Sequence, residues 1–218
     1  MNTQQYIVND VAPFPVSTKL AAVQKIFGGF PYSHLPVEEG GNYIGCIAAA
    51  DAAYLESEKT LADLRYTLAP FYVRDTTNWL DIIEAFALNA SNIMPVLTPE
   101  STYLGYYELH DVMALFNATP FLSGTGSIIV VQKGVRDYSF SEICQIVEAN
   151  GSKILGAFVS KIESDMVQVT IKTGHLGMDA IVQTFRRYGY VVVSSHGEDT
   201  FLDNLKERSK YLNKYLNI

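Results

Sequence analysis

The first half of the chain states one pattern twice, and a duplicated unit restricts the fold to two similar copies packed about a pseudo-twofold axis. The run Ser33-His34-Leu35-Pro36-Val37, followed by Tyr43-Ile44-Gly45 and Asp51, returns as Asn92-Ile93-Met94-Pro95-Val96, followed by Tyr103-Leu104-Gly105 and Asp111. The offset is 59 residues at the prolines and 60 at the glycines and aspartates, so the copies differ by one inserted residue between Val96 and Tyr103. A third block, Val11-Ala12-Pro13-Phe14, matches Leu68-Ala69-Pro70-Phe71. Two such copies leave a cleft between them, and that cleft is where a ligand would sit.

Periodicity gives each copy the order strand, helix, strand, strand, helix. Leu20, Val23, Ile26 and Phe27 fall at the three-and-four spacing of an amphipathic helix, and Trp79, Ile82, Ile83 and Phe86 repeat it. Each helix leads to a short apolar strand at Leu35–Val37 or Met94–Val96, a turn, and a second strand at Tyr43–Ile47 or Tyr103–Tyr107. That is a hairpin signal. A second helix starts near Ala50 and near His110.

After residue 118 the pattern changes. Pro120 and the small polar run Ser123–Ser127 predict a linker over 119–127. Beyond it, strand and helix signals alternate as βαββαβ over 128–197, an order that makes a four-stranded antiparallel sheet with both helices on one face. The other face needs a cover, which the first domain or the partner in a homodimer would supply. Residues 198–218 predict a helix with Leu202, Leu205, Leu212 and Leu216 on one stripe. The fold class is therefore α+β.

Composition excludes several function classes. At 218 residues and 48% hydrophobic content the chain can bury proper cores. A net charge of −7 with no Lys/Arg cluster argues against a nucleic-acid partner, because phosphate contact needs a concentrated basic face. Met1–Gln5 lacks an export signal and no segment approaches about 20 apolar residues, so a cytoplasmic protein without a membrane span is expected. Cys46 and Cys144, each in apolar surroundings, read as packing residues.

The repeated unit resembles the CBS domain, in which a strand ending near Pro-Val and a hairpin lead through Gly and a Ser/Thr-x-x-Asp run into a helix. The resemblance implies a tandem CBS pair over 1–118, with motifs over 1–58 and 59–118. Residues 128–197 look like an ACT domain, and the combined order is similar to CBS-ACT proteins of the acetoin-utilisation type. The resemblance also implies a regulatory ligand of the adenosyl class: AMP, ATP or S-adenosylmethionine. By position, Asp51 and Asp111 would hold the ribose hydroxyls, beside Pro36 and Pro95. The phosphate-contacting Ser/Thr positions fall on Ala48 and Glu108, so neither copy keeps its hydroxyl.

These departures carry physical consequences. A carboxylate accepts from both hydroxyls of a ribose, although an Asp at a helix start is equally suited to capping. Two like charges about 4 Å apart repel by about 1–4 kcal/mol, so Glu108 disfavours a polyphosphate and favours an uncharged or cationic adenosyl ligand, unless it points to solvent beside a degenerate site. Thr18 and Thr76, each near a helix start, are candidates for anion contact or simple capping. In the ACT-like half, Ser139 stands where a glycine usually admits an amino acid, which argues for dimerisation instead.

No catalytic set stands out: there is no phosphate-binding loop, and the four histidines are scattered, with His175 and His196 a weak metal pair. A non-enzymatic adenosyl sensor is expected. The alternative is a structural, oligomerising protein with degenerate ligand sites.

Overall fold

The computed structural model describes residues 3–174 and 177–196. The readings placed on His175 and on Asp199–Ile218 lie outside the described residues. The chain divides into two compact units, Met1–Phe116 and Asn117–Ile218.

In the first unit the first repeat runs β1 (Phe14–Pro15), α1 (Leu20–Gly29), β2 (His34–Glu39), β3 (Asn42–Ala48) and α2 (Ala49–Tyr54). The second runs β4 (Val73–Arg74), α3 (Trp79–Leu88), β5 (Ile93–Leu97), β6 (Tyr103–Glu108) and α4 (Leu109–Asn117). Each repeat makes one three-stranded sheet, β1-β2-β3 or β4-β5-β6, with the short strand parallel to its neighbour and the hairpin antiparallel. One face of each sheet packs on its own helices: Leu35, Val37 and Ile47 against Leu20 and Val23, and Met94, Val96 and Tyr107 against Ile82 and Phe86. Alternation along the strands then places His34, Pro36, Cys46 and Ala48, and likewise Ile93, Pro95, Tyr106 and Glu108, on the opposite face.

That face is turned to the other repeat. The chain leading into each repeat crosses onto the sheet of the other: Val8 bridges Tyr106, and Ala69 bridges Cys46. The two motif glycines make this crossing possible. Gly45 and Gly105 have φ +146° and +147°, and a β-carbon on Gly45 would lie 3.1 Å from the Ala69 carbonyl oxygen. The prolines fit the same logic. Cys46 exchanges both of its backbone bonds with Ala69, so it makes none with Pro36 opposite it, and the missing proline N–H leaves no gap in the ladder. Pro95 stands in the same relation to Tyr106, which bonds Val8.

One sequence alignment is corrected by strand register. Phe14 pairs with Val37 and Val73 with Val96, and Val37 and Val96 are repeat equivalents. Phe14 therefore corresponds to Val73, not Phe71, and the two Ala-Pro-Phe runs are two residues out of step. Parallel pairing to the hairpin decides equivalence here, whatever the local likeness of the tetrapeptides.

The second unit contains α5 (Pro120–Ser123), β7 (Ser127–Gly134), α6 (Phe140–Ala149), β8 (Ile154–Glu163), β9 (Met166–Thr173), α7 (Met178–Arg187) and β10 (Val191–His196). Its antiparallel sheet has the order β10-β7-β9-β8. Ile143, Ile146, Ile181 and Phe185 of the helices pack on Ile129, Val131, Val167, Val169 and Ile171, so both helices lie on one face. The segment read as a linker is partly structured. Proline at the first turn starts α5, and Phe121 packs edge-on to Phe158 at 5.5 Å while filling the space above Gly156.

Candidate functional site

The seam between the repeats is built from residues at equivalent positions. Ser33 donates its N–H to Asn92 Oδ1 at 2.8 Å, and Asn92 donates its N–H to Ser33 Oγ at 2.9 Å. Asn92 Nδ2 also donates to the Pro31 carbonyl at 2.6 Å. Further along, Tyr43 and Tyr103 lie nearly parallel with ring centroids 6.3 Å apart. They line an open groove of about 430 Å³ with Pro13, Glu38, Gly41 and Thr102.

Two aromatic contacts fill the seam unequally. On one side, Tyr106, 1% exposed, donates its hydroxyl to Asp10 Oδ1 at 2.7 Å, and its oxygen lies 3.2 Å from the Tyr32 hydroxyl. Burial first, then the bonds to Tyr32 and Asp10, push the Tyr106 phenol upward, so it stays a neutral donor. Beside this cluster lies a cavity of about 360 Å³ lined by Asp10, Val11, Ala12, Phe14, Ile26, Phe30 and Tyr32. Phe30 stacks on Tyr32 with centroids 5.5 Å apart and remains 54% exposed. On the other side, the His34 ring meets Phe71 edge-on at 5.1 Å, and its Nδ1 lies 2.9 Å from Ser33 Oγ.

Of the expected site residues, Asp51 is exposed in the first turn of α2, and Asp111 is half-buried in the first turn of α4. Ala48 and Glu108, both half-buried, end the strands that lead into those helices. Pro36 and Pro95 are buried on the seam face. Neither the groove at Tyr43 and Tyr103 nor the cavity at Phe30 and Tyr32 is lined by Asp51 or Asp111. The amides at the start of α1 are already engaged, Leu20 N–H by the Lys59 carbonyl and Ala21 N–H by the Ser57 carbonyl, so Thr18 stands at a helix end whose first donors are satisfied. At the start of α3, Asn78 caps the Leu80 N–H, and the Arg74 guanidinium bonds the Thr98 carbonyl and Ser101 Oγ while lying over the Tyr72 ring. Thr76 is exposed beside that closed arrangement.

Asp10, Phe30, Tyr32 and Tyr106 do not stand out in the sequence. The one signal there is Tyr106 itself, a large aromatic at the position after the motif glycine where the first copy has Cys46.

His34 gives the seam a pH dependence. Burial lowers its imidazole below the ordinary 6.5, and the nearby Asp51 charge opposes that shift. The neutral form is thus favoured in the folded state, and the stability this contributes is present above pH of about 6.5 and lost as pH falls through the lowered folded value. Thermal melts across that window are expected to show a declining midpoint, flattened in His34→Gln and steepened in Asp51→Asn. Equal slopes in wild type and His34→Gln would contradict the assignment.

In the second unit, Ser139 caps α6 by accepting the Glu142 N–H, and its own N–H donates to the Tyr190 hydroxyl at 3.3 Å. Lys133 pairs with Glu142 at 2.8 Å and lies 4.3 Å over the Tyr190 ring. The turn before α6 is therefore closed by the protein's own side chains. Among the described residues, no group of three or more His, Cys, Asp or Glu side chains is placed to hold a metal ion, and no helix is long and apolar enough to cross a membrane.

No protein-family model and no curated protein matches the sequence. Similar solved structures are CBS-domain pair proteins. A CBS domain pair/ACT domain protein from Thermotoga maritima is 19% identical, with 54% of this chain and 98% of that one covered at a TM-score of 0.48. The CBS domains of a transcriptional regulator from Streptococcus pneumoniae are 16% identical, with 52% and 98% covered at a TM-score of 0.46. A CBSX2 protein in complex with AMP is 16% identical, with 53% and 95% covered at a TM-score of 0.46.

Proposed function

We propose that the protein is a non-catalytic regulatory module of the CBS-pair type, whose duplicated unit senses an adenosyl ligand inside the cell and whose ACT-like second unit serves homodimerisation. The observation that carries this reading is the cavity of about 360 Å³ walled by the Phe30–Tyr32 stack and rimmed by Asp10. An apolar slot with one convergent acceptor suits a planar base. Tyr106, hydrogen-bonded to Asp10, lies on the strand that leads through Glu108 into the helix of the half-buried Asp111, whose carboxylate would accept from the hydroxyls of a sugar attached to that base. Asp51 holds the equivalent position in the first repeat. Ligand entering the seam would act on the Ser33–Asn92 and Tyr43–Tyr103 contacts, and through them on the relative setting of the two repeats.

Glu108 shapes the preference. At the phosphate-contacting position its charge would repel ATP most and AMP less, and would tolerate adenosine or the cationic sulfonium of S-adenosylmethionine. In a thermal-shift panel at millimolar ligand, S-adenosylmethionine and AMP are expected to raise the melting midpoint more than ATP. A ligand at one hundred times its Kd would stabilise the fold by about 2.7 kcal/mol. Glu108→Gln is expected to improve ATP binding at least fivefold with little effect on adenosine. ATP binding more tightly than S-adenosylmethionine to the unmodified protein would overturn the preference.

A second reading has its own support. The Tyr106–Asp10–Tyr32 cluster and the Phe71–His34 contact occupy much of the seam with the protein's own side chains, as expected of a structural pair with degenerate sites. No midpoint shift with any adenosyl compound would favour it.

A further inference from the structure

The two repeats are not equivalent as ligand sites, and we infer that the module takes one adenosyl ligand per chain, on the side of Asp10, Tyr32 and Tyr106. This rests on the proposed adenosyl function and specifies which half of the duplicated unit serves it.

Each wall of the cavity has a counterpart in the other repeat, with equivalence set by strand register. Phe14 corresponds to Val73, as their pairing with Val37 and Val96 requires. Counting from there and from the Ser33–Asn92 pair, Ile26 corresponds to Ala85, Phe30 to Asn89 and Tyr32 to Ser91. Every large wall of the cavity has a smaller residue on the other side. Asn89 is also committed locally, its Nδ2 donating to the Ala85 carbonyl at 2.8 Å at the end of α3. Ser91 is 5% exposed, far too short to reach across the seam as Tyr32 does.

Bulk is also redistributed on that side. Ala12, which lines the cavity, corresponds to Phe71, and the Phe71 ring packs against His34. The leading segments differ in length as well. From its bridge at Val8 to β1, the first is two residues longer than the second from Ala69 to β4. That extra length carries Asp10, the acceptor at the cavity rim, for which the shorter segment has no counterpart. Asp10 Oδ1 takes the Tyr106 hydroxyl, and a carboxylate has further acceptor capacity for a ligand N–H. The duplicated unit thus carries an aromatic slot with an acid on one side and the Phe71–His34 ring contact on the other.

Titration calorimetry of the full chain with AMP, repeated with adenosine and S-adenosylmethionine, tests this. The expected stoichiometry is one ligand per chain. Tyr32→Ala and Asp10→Asn are each expected to weaken binding at least tenfold, with folding of each checked by its melt, whereas Ser91→Ala, the repeat counterpart of Tyr32, leaves the Kd unchanged within twofold. Two ligands per chain, or a loss in Ser91→Ala equal to that in Tyr32→Ala, overturns the single-site inference while the adenosyl reading stands. Absence of binding by all three compounds overturns the adenosyl reading, and the inference with it.

Discussion

Gly105→Ala is expected to destabilise the first unit by about 3–5 kcal/mol, near the upper end for a single substitution. At Gly105 the backbone has φ +147°, where a side chain is strained, and a β-carbon would overlap the Val8 carbonyl oxygen and come within 2.8 Å of Ile7 Cγ2. The carbonyl belongs to a backbone bridge in which Val8 and Tyr106 exchange both hydrogen bonds at 2.8 and 2.9 Å. Relief therefore requires the leading segment to lift off β6, which breaks those bonds and exposes Tyr106. Gly45→Ala is expected to lose only about 1–2 kcal/mol, because the nearest atom there is 3.1 Å away and a small shift accommodates it. Denaturant unfolding followed through the single Trp79, which lies in the first unit, reads both variants. Equal losses in the two would mean that the crossing segments are held equally loosely.

Asn92→Ala carries the second large effect, about 2–3 kcal/mol from two lost hydrogen bonds and a stranded donor. Its side chain accepts the Ser33 N–H and donates to the Pro31 carbonyl, so alanine leaves the half-buried Ser33 N–H without its acceptor. Ser33→Ala is expected to be milder, since Asn92 keeps both of its side-chain bonds and only the Asn92 N–H and His34 Nδ1 lose the hydroxyl. The same denaturation experiment ranks the two. A smaller loss in Asn92→Ala than in Ser33→Ala would show that the contact at the pseudo-twofold axis is not carried by the amide.

Much of this arrangement was legible along the chain. The prolines and glycines of the repeat mark the hairpins because each answers a backbone requirement: no partner for an N–H at Pro36 and Pro95, no room for a β-carbon at Gly45 and Gly105. The helices of both units follow from apolar spacing, and Ser139 caps α6 as a serine at a helix start does. The aspartates were harder. A carboxylate at the first turn of a helix looks the same in one dimension whether it faces solvent, as Asp51 does, or lies half-buried, as Asp111 does. Thr18 shows the same limit from the other direction, since the loop that satisfies the start of α1 comes from residues about 40 positions later.

By itself, then, the order of residues determined the duplication, the hairpins, the glycines and prolines that let strands cross, and the alternation of core and seam faces. All of these depend on local backbone geometry or on a period of two or of 3.6 residues. Only the tertiary structure decided that Phe14 matches Val73, that Asp10, Tyr32 and Tyr106 meet, and that Phe71 fills one side of the seam while a cavity opens on the other. Those facts depend on contacts between segments far apart in the chain, and space left between two surfaces has no signature in either strand of sequence that encloses it.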